Sequence, residues 1–365
     1  MKIAIVFDDL TQFGGAERLL LAVLDIWPDA PLYTSVASKE WVELLEKRGT
    51  TLKTSFMQKL PFKKRLNRLY GALGLHILAM ESFDLSGYEV VFSISSRYAH
   101  GVVTKPGTKH ICYMNSPGRM FWEPNSYFEN EGFFTRFKGL SLSHQRLWDY
   151  SASHRVDRFI ANSLTPRARI KKYYGLDSHV IYPFYEFPKT VIERGSSPYF
   201  LVISRLQSWK KIDIAIKACG ELHLPLKIIG DGPQRKALQK LAKKYENIEV
   251  LGYVTEEEKY DAIAGSKALI QTQLEDFGIV PLEVMACGKL VIAFGAGGAL
   301  ETVVPGETGE FFGSQTVESL MQTLKTFDPQ RYSTDNCRKR AEAFTKERFQ
   351  KEVKSFVDTV YLEKL

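Results

Sequence analysis

Glu275 and Glu283 stand eight positions apart in the stretch EDFGIVPLEVMACG, with a Gly-Ile-Val-Pro step between them and a closing Gly288. Pro281 suits the first turn of a helix and Gly288 its end, so the spacing predicts a helix from about 281 to 287. The preceding loop, Asp276-Phe277-Gly278-Ile279, then presents backbone N–H groups with no partner inside the helix, the arrangement that receives phosphate oxygens. Gly278 lets the backbone approach a ligand closely. A carboxylate there repels phosphate, so Glu275 and Glu283 fit the site as acceptors from neutral hydroxyls: a sugar at one end of a diphosphate, a ribose at the other. The plainer reading makes both of them acids favoured by the helix dipole.

Cations stand at another strand end. Ser204-Arg205-Leu206 follows an apolar run, and Lys210-Lys211 begins five residues after the arginine. Arg offers a planar fork for two phosphate oxygens, whereas Lys gives a point charge. Three glycine turns repeat the theme: Gly230 in GDGP, Gly295 to Glu301 in GAGGALE, and Gly14-Gly15 in FGGAE. Each alone is a weak signal.

Elements that position these residues follow from periodicity. Apolar, β-branched runs at 2–7, 31–36, 89–94, 110–114 and 157–161 alternate with helical stretches, which predicts a parallel sheet. A second series restarts at 199–206 and continues at 225–232, 247–254, 267–274 and 289–295. Between the series, YPFYEFPKTVIERGSSP at 182–198 has no clear period and reads as a linker. The expected fold class is therefore α/β, with two doubly wound Rossmann-like domains facing across a cleft and a ligand at the carboxyl ends of their strands. The boundaries are 1–183 for the first domain, 184–198 for the linker and 199–345 for the second. Residues 346–365 form a helix expected to pack back on the first domain, within a helical stretch spanning 338–362.

Bulk properties narrow the classes. At 365 residues, two domains are the ordinary expectation. A net charge of +7 points to an anionic partner. Nucleic acid is disfavoured because no basic stretch interleaves with aromatics in a recognised reader. The four cysteines, 112, 219, 287 and 337, are scattered with no metal-ligand spacing, consistent with free thiols in a reducing compartment. Asp8 and Asp9 interrupt the first apolar run before it resembles a signal peptide, and no run approaches the roughly 20 residues of a membrane span. The expected location is cytoplasmic, with a possible place on the inner face of the plasma membrane. For the latter, KLPFKKRLNRLYGALGLHILAM (59–80) has two readings: a surface for an anionic membrane, with Lys63, Lys64 and Arg65 prominent, or a solvated helix packed on its own domain.

Taken together, these residues resemble the family 4 retaining glycosyltransferases of the two-domain GT-B fold, over almost the whole chain. The most specific stretches are EDFGIVPLE, SRLQSWKK and GGALETV-PGETG. The resemblance implies that Arg205 and Lys210, with Lys211 beside it, bind the donor diphosphate, that Glu283 holds the nucleotide ribose, and that Glu275 holds a hydroxyl of the transferred sugar. It implies donor contacts for Gly14, Gly15, Gly230, Phe277, Gly278, Ile279 and Glu301, and base contacts for the backbone at Tyr253 and Val254. The family's Lys-Gly is Lys210-Lys211 here. FGGAERL, DLSGYEVVFSISSRYAHGV and CYMNSPGRMFWEP look most like bacterial mannosyltransferases of O-antigen and exopolysaccharide assembly. Asn115 replaces a His of that group's His-Thr-Pro-x-Arg loop, Ser96 stands where relatives often carry His, and His100 where they often carry Lys. Arg119 and Asn115 are assigned to the acceptor side, and His100 joins Glu275, Arg205 and Lys210 among the expected catalytic groups.

The implied reaction is transfer of a sugar with retention, by front-face attack, from a nucleotide sugar to a glycan or lipid-linked acceptor. GDP-mannose is favoured by resemblance. The alternatives are a UDP-sugar transferase and a non-catalytic nucleotide-sugar-binding partner in a glycan-assembly complex. No cofactor or metal is expected, because the cations are protein-borne and no Asp-x-Asp stands where it would hold one.

Overall fold

The apolar runs IAIVF and VVFSIS are rich in β-branched residues, too short for helices, and buried at every position. Such strands must be covered on both faces, which is the condition of a parallel sheet. The computed structural model, which describes residues 1–63, 66–124, 135–186 and 199–363, places them in such a sheet.

The chain divides into two units, Met1–Pro183 with Glu347–Leu365, and Phe184–Lys346. In the first unit the strands are β1 (Ile3–Phe7), β2 (Leu32–Thr34), β3 (Leu52–Thr54), β4 (Val90–Ser95), β5 (Lys109–Met114), β6 (Arg158–Ala161) and β7 (Ser178–Val180). They form one parallel sheet in the order β3-β2-β1-β4-β5-β6-β7. In the second unit, β8 (Phe200–Ile203), β9 (Leu226–Ile229), β10 (Ile248–Gly252), β11 (Ala268–Gln271), β12 (Leu290–Phe294) and β13 (Gly309–Phe312) form a parallel sheet in the order β10-β9-β8-β11-β12-β13. Three strands go beyond the sequence reading. β3, β7 and β13 are three or four residues long and lie at sheet edges, where a short segment carries little periodic signal.

Each strand order reverses once, between β1 and β4 in the first sheet and between β8 and β11 in the second. At such a switch point the loops after the two strands diverge to opposite faces and leave a crevice at the carboxyl end.

The helical stretch expected over 338–362 is two helices, Thr334–Glu342 and Lys346–Leu362. Most of the second is grouped with the first unit. Its Phe349, Val353, Val357 and Val360 recur at helical spacing and are buried. Phe349 meets Tyr113 edge-on at 5.8 Å, and Gln350 Nε2 donates to the Ala22 carbonyl at 3.0 Å. Most of the expected linker, 187–198, lies outside the described residues, as do Lys64 and Arg65.

His110 is wholly buried on β5, with Nε2 2.8 Å from Ser93 Oγ. Burial, then the neighbouring His100, pushes its pKa down to about 3. In the unfolded chain it titrates near ~6.5. The stability contributed by the neutral ring is therefore full above that value and is lost as pH falls toward the folded pKa. Urea titrations between pH 7.5 and 4.5 should show wild type losing more stability than His110→Gln; parallel losses would refute this role.

Candidate functional site

At the switch point of the second sheet, the β8 and β11 loops are joined by charge. Lys210, on the short turn Ser208–Lys210, forms an ion pair with Glu275, and both are largely withdrawn from water. Gln273 Nε2 adds a second donor to Glu275 Oε1 at 3.0 Å. Thr272 Oγ1 donates to the Lys210 carbonyl at 2.8 Å, fixing the backbone of one loop to a side chain of the other. A buried charge without a partner costs several kcal/mol, so each member holds the other in place. Arg205 is exposed beside this pair in sequence and makes no side-chain hydrogen bond or ion pair among the described residues. Lys211 adopts φ 52°, ψ 35° at the start of the helix Ile212–Glu221. This is the left-handed conformation a glycine takes most readily, so the backbone keeps the geometry of a Lys-Gly step despite the substitution.

Backbone packs on backbone around these loops. Gly230 N–H donates to the Gly252 carbonyl at 2.8 Å, Ser204 N–H to Ile229 O at 3.1 Å, and Leu206 N–H to Asp231 O at 2.9 Å. The loops after β8, β9 and β10 are thereby laced together. A Cβ on Gly230, whose φ is +138°, would lie 1.8 Å from the Ser204 carbonyl oxygen. On the other side of the switch point, Gly298 N–H donates to Glu275 O at 2.9 Å, and a Cβ on Gly298 would lie 2.2 Å from Phe277 O.

The helix expected over 281–287 runs from Ile279 to Ala286. It starts earlier because Gly278, at φ 91°, is its boundary, and Pro281 occupies the third position, where a missing N–H still breaks no intrahelical bond. Gly278 and Ile279 thus form the helix N-terminus, while the Phe277 side chain is buried against Phe344 at 5.7 Å, leaving only its backbone for a ligand. Glu283 is buried in this helix, with Oε1 3.2 Å from Lys259 Nζ, which also bonds Glu256 Oε2 at 2.8 Å. Tyr253 is 81% exposed and Val254 half-buried, just past β10. Glu301 lies in the short helix Ala299–Thr302, its carbonyl accepting from Arg340.

The first unit carries its own ion pair at its own switch point. Asp9, following β1, pairs with Arg97, following β4. Asp9 Oδ1 also accepts from Thr11 Oγ1 at 2.6 Å and Asn67 Nδ2 at 3.2 Å. Burial works to raise the Asp9 carboxyl, but Arg97, His76 and these hydrogen bonds outweigh it and hold its pKa below the ordinary value. His76 stacks on Tyr98 at 4.9 Å and lies 2.9 Å from both Ser35 Oγ and Asn67 Oδ1; its pKa is lowered, chiefly by burial. Asp8 binds the opposite loop through backbone: Oδ1 accepts from Tyr98 and Ala99 N–H at 2.8 and 2.7 Å, Oδ2 from Ser96 N–H at 2.7 Å. Gly14 and Gly15 open the helix Gly15–Ile26 in the same β1 loop.

His100 requires correction. It is wholly buried, with Nδ1 3.1 Å from Ser95 Oγ and Nε2 3.2 Å from Asp149 Oδ1. Asp149 also accepts from Trp122 Nε1 and the Tyr174 hydroxyl, both at 2.7 Å. With no surface to meet a substrate, His100 belongs to a core network and not among the catalytic groups. Asn115 stays at the switch point, donating from Nδ2 to Ser96 Oγ at 3.2 Å. Arg119 is paired with Glu123 at 3.3 Å. Asp9, Arg97, Asn67, His76 and Lys259 escaped sequence reasoning. Asp8-Asp9 did carry a signal, two acids at the end of an apolar strand just before Gly14-Gly15.

Comparison with known proteins places the fold in a class. Residues 185–344, nearly the whole second unit, match the family described as glycosyl transferases group 1. Solved structures align over both units. HepE of Anabaena in complex with UDP shares 18% identity, covering 98% of this chain and 100% of its own, with a TM-score of 0.71. A sucrose-phosphate synthase of Thermosynechococcus elongatus shares 15% identity over 99% of each chain, with a TM-score of 0.74. The fold is α/β with two Rossmann-like units, the GT-B class. Among curated sequences, the chain is 31% identical over 194 residues to a GDP-mannose-dependent alpha-(1-6)-phosphatidylinositol monomannoside mannosyltransferase of Mycolicibacterium smegmatis, covering 48% of this chain and 46% of that one. It is 29% identical over 164 residues to an uncharacterized glycosyltransferase of Methanocaldococcus jannaschii, covering 42% of this chain and 43% of the relative. The matched stretch thus spans less than half the length of these curated relatives.

The lacing of the loops after β8, β9 and β10 is testable by Gly230→Ala, which places a methyl against the Ser204 carbonyl and forces a strained φ. Strain and displaced backbone should cost about 3 kcal/mol or more, lowering Tm by roughly 6–12 °C. Gly313→Ala, where a Cβ meets nothing within 4 Å, should melt within a degree or two of wild type. Equal melting of the two variants would mean that the loops are not so fixed.

Proposed function

We propose that this protein transfers mannose from GDP-mannose, with retention of configuration, to a glycan or lipid-linked acceptor in bacterial surface polysaccharide synthesis. The observation that carries the reading is the Lys210–Glu275 pair at the β8/β11 switch point, inside the unit that matches glycosyl transferases group 1. Mannose and GDP are favoured by the mycobacterial relative and by an alpha-1,3/1,6-mannosyltransferase of Saccharomyces cerevisiae, 29% identical over 40% of this chain and 39% of its own.

In this reading the diphosphate sits at the N-terminus of the helix Ile279–Ala286, where Gly278 and Ile279 offer backbone N–H groups. Arg205 and Lys210 neutralise the charge that grows on the diphosphate as its bond to the sugar C1 breaks. An acceptor hydroxyl oxygen forms its bond to C1 on the same face, and its proton passes to the departing phosphate oxygen. Preorganised cations of this kind supply roughly 3 kcal/mol each. Glu275 accepts a sugar hydroxyl while keeping Lys210 in place, and Glu283 accepts from the ribose. The charge-stabilising groups are all protein-borne, so no metal is assigned a step.

A second reading, UDP-sugar transfer, draws on the HepE complexes with UDP and with UDP-glucose. It leaves the reaction type unchanged and alters only the base and sugar.

Two measurements test the proposal. In a thermal-shift panel of GDP, UDP, ADP and dTDP, GDP should raise Tm most; a ligand at 100 times its Kd adds about 2.7 kcal/mol. Preference for UDP would overturn the donor assignment. In a turnover assay, Glu275→Gln should lower kcat by about 10²-fold or more. Failure of wild type to turn over any nucleotide sugar would favour a binding partner over an enzyme.

A further inference from the structure

We propose that Arg235 selects the nucleobase, its guanidinium donating to O6 and N7 of a guanine. Arg235 opens the helix Arg235–Ala242 that follows β9 in the second unit. The proposal rests on the GDP-mannose reading, with the base at the backbone of Tyr253 and Val254, and adds the side chain that chooses among bases. Stacking does not choose. The Tyr253 ring is 81% exposed, and an aromatic face receives every base alike.

β9 and β10 end side by side, with Ile229 opposite Gly252 after a register slip between Val250 and Gly252. Such an irregularity re-aims the chain at a strand end. In the loop after β9, Asp231 Oδ1 accepts from the Gly232 N–H at 2.7 Å, and Oδ2 accepts from Arg235 Nη1 at 3.1 Å. The guanidinium leans over Gly252: a Cβ built there would stand 2.6 Å from Nη2 and 2.9 Å from Cζ. Gly252, at φ +82°, thus leaves open the space that the guanidinium fills, one residue before Tyr253. A planar fork held by one carboxylate and one glycine therefore lies against the backbone assigned to the base.

The fork has donors to spare. A guanidinium carries five N–H groups, and among the described residues Asp231 is the one hydrogen-bond and ion-pair partner of the Arg235 side chain. The two side chains are 40% and 52% exposed, and an ion pair so open to water stabilises a fold little. Guanine presents two adjacent acceptors, O6 and N7, which a guanidinium meets with two parallel N–H bonds. Adenine sets an amino donor beside N7 and so opposes the fork; uracil, like thymine, offers O4 alone. A two-bond contact of this kind discriminates between bases by about ten- to a hundredfold.

The test is calorimetric titration of the full chain with GDP, UDP and inosine diphosphate. Wild type should bind GDP at least about tenfold tighter than UDP. Inosine diphosphate keeps O6 and N7 but lacks the 2-amino group, so it should bind within about threefold of GDP. Arg235→Lys keeps the charge but loses the fork: GDP should weaken by about tenfold or more, toward the UDP value, while UDP stays within about threefold of wild type. Because both ligands are measured on one preparation, the GDP/UDP ratio is insensitive to any loss of folded chain. A variant that keeps the wild-type ratio, whether both ligands weaken or neither does, would overturn the proposal and leave the donor assignment standing. Inosine diphosphate binding no tighter than UDP would also overturn it, by moving the readout to the 2-amino group. Wild type that prefers UDP would overturn the donor assignment, and this proposal with it.

Discussion

An opposite-charge pair spans the switch point of each sheet: Lys210 with Glu275 in the second unit, Asp9 with Arg97 in the first. The loops that meet there leave their strands toward opposite faces, so no backbone ladder joins them. Side-chain charge takes the ladder's place. Because the members are largely shielded from water, removing one would strand the other, and the geometry of both loops rests on the pair remaining whole. In the second unit that constraint also keeps an ammonium at the carboxyl end of the sheet, near the N-terminus of the helix Ile279–Ala286.

Around the pairs, rigidity comes from an absence of side chains. Gly230, Gly297 and Gly298 let neighbouring loops touch through main-chain atoms, so the loop backbone at this end of the sheet is held by a lattice of N–H to carbonyl bonds and not by mobile side chains. Such a frame can present N–H groups to a phosphate without reorganising, which is where preorganised electrostatics gains over water.

Much of this was legible in the residues, and the exceptions have physical reasons. Strands buried along most of their length announce themselves as apolar runs, so β1, β2, β4, β5, β6, β8, β9, β11 and β12 were readable, and β10, though half-exposed at an edge, kept enough of that pattern to be read; β3, β7 and β13, short and at the edges, were not. The E-x7-E spacing and the Arg205/Lys210 offset identified the second unit's polar loops, because local spacing maps onto one strand end. The Asp9–Arg97–Asn67–His76 cluster gathers residues up to 88 positions apart, and nothing local marks such a meeting. His100 misled for the same reason: its partner Asp149 lies on the helix Thr135–Ser153, and only the folded chain shows the imidazole sealed inside.

The first unit is discontinuous, since its last helix arrives after the entire second unit has been spelled out. On a ribosome, the early sheet must therefore wait, with the face that Phe349, Val353 and Val357 will cover still bare, until more than 160 further residues have been polymerised. The inserted unit, being contiguous, can mature meanwhile. Nascent chains stalled before that helix should thus be the ones that engage chaperones, and an early stop codon there would harm the half of the protein translated first.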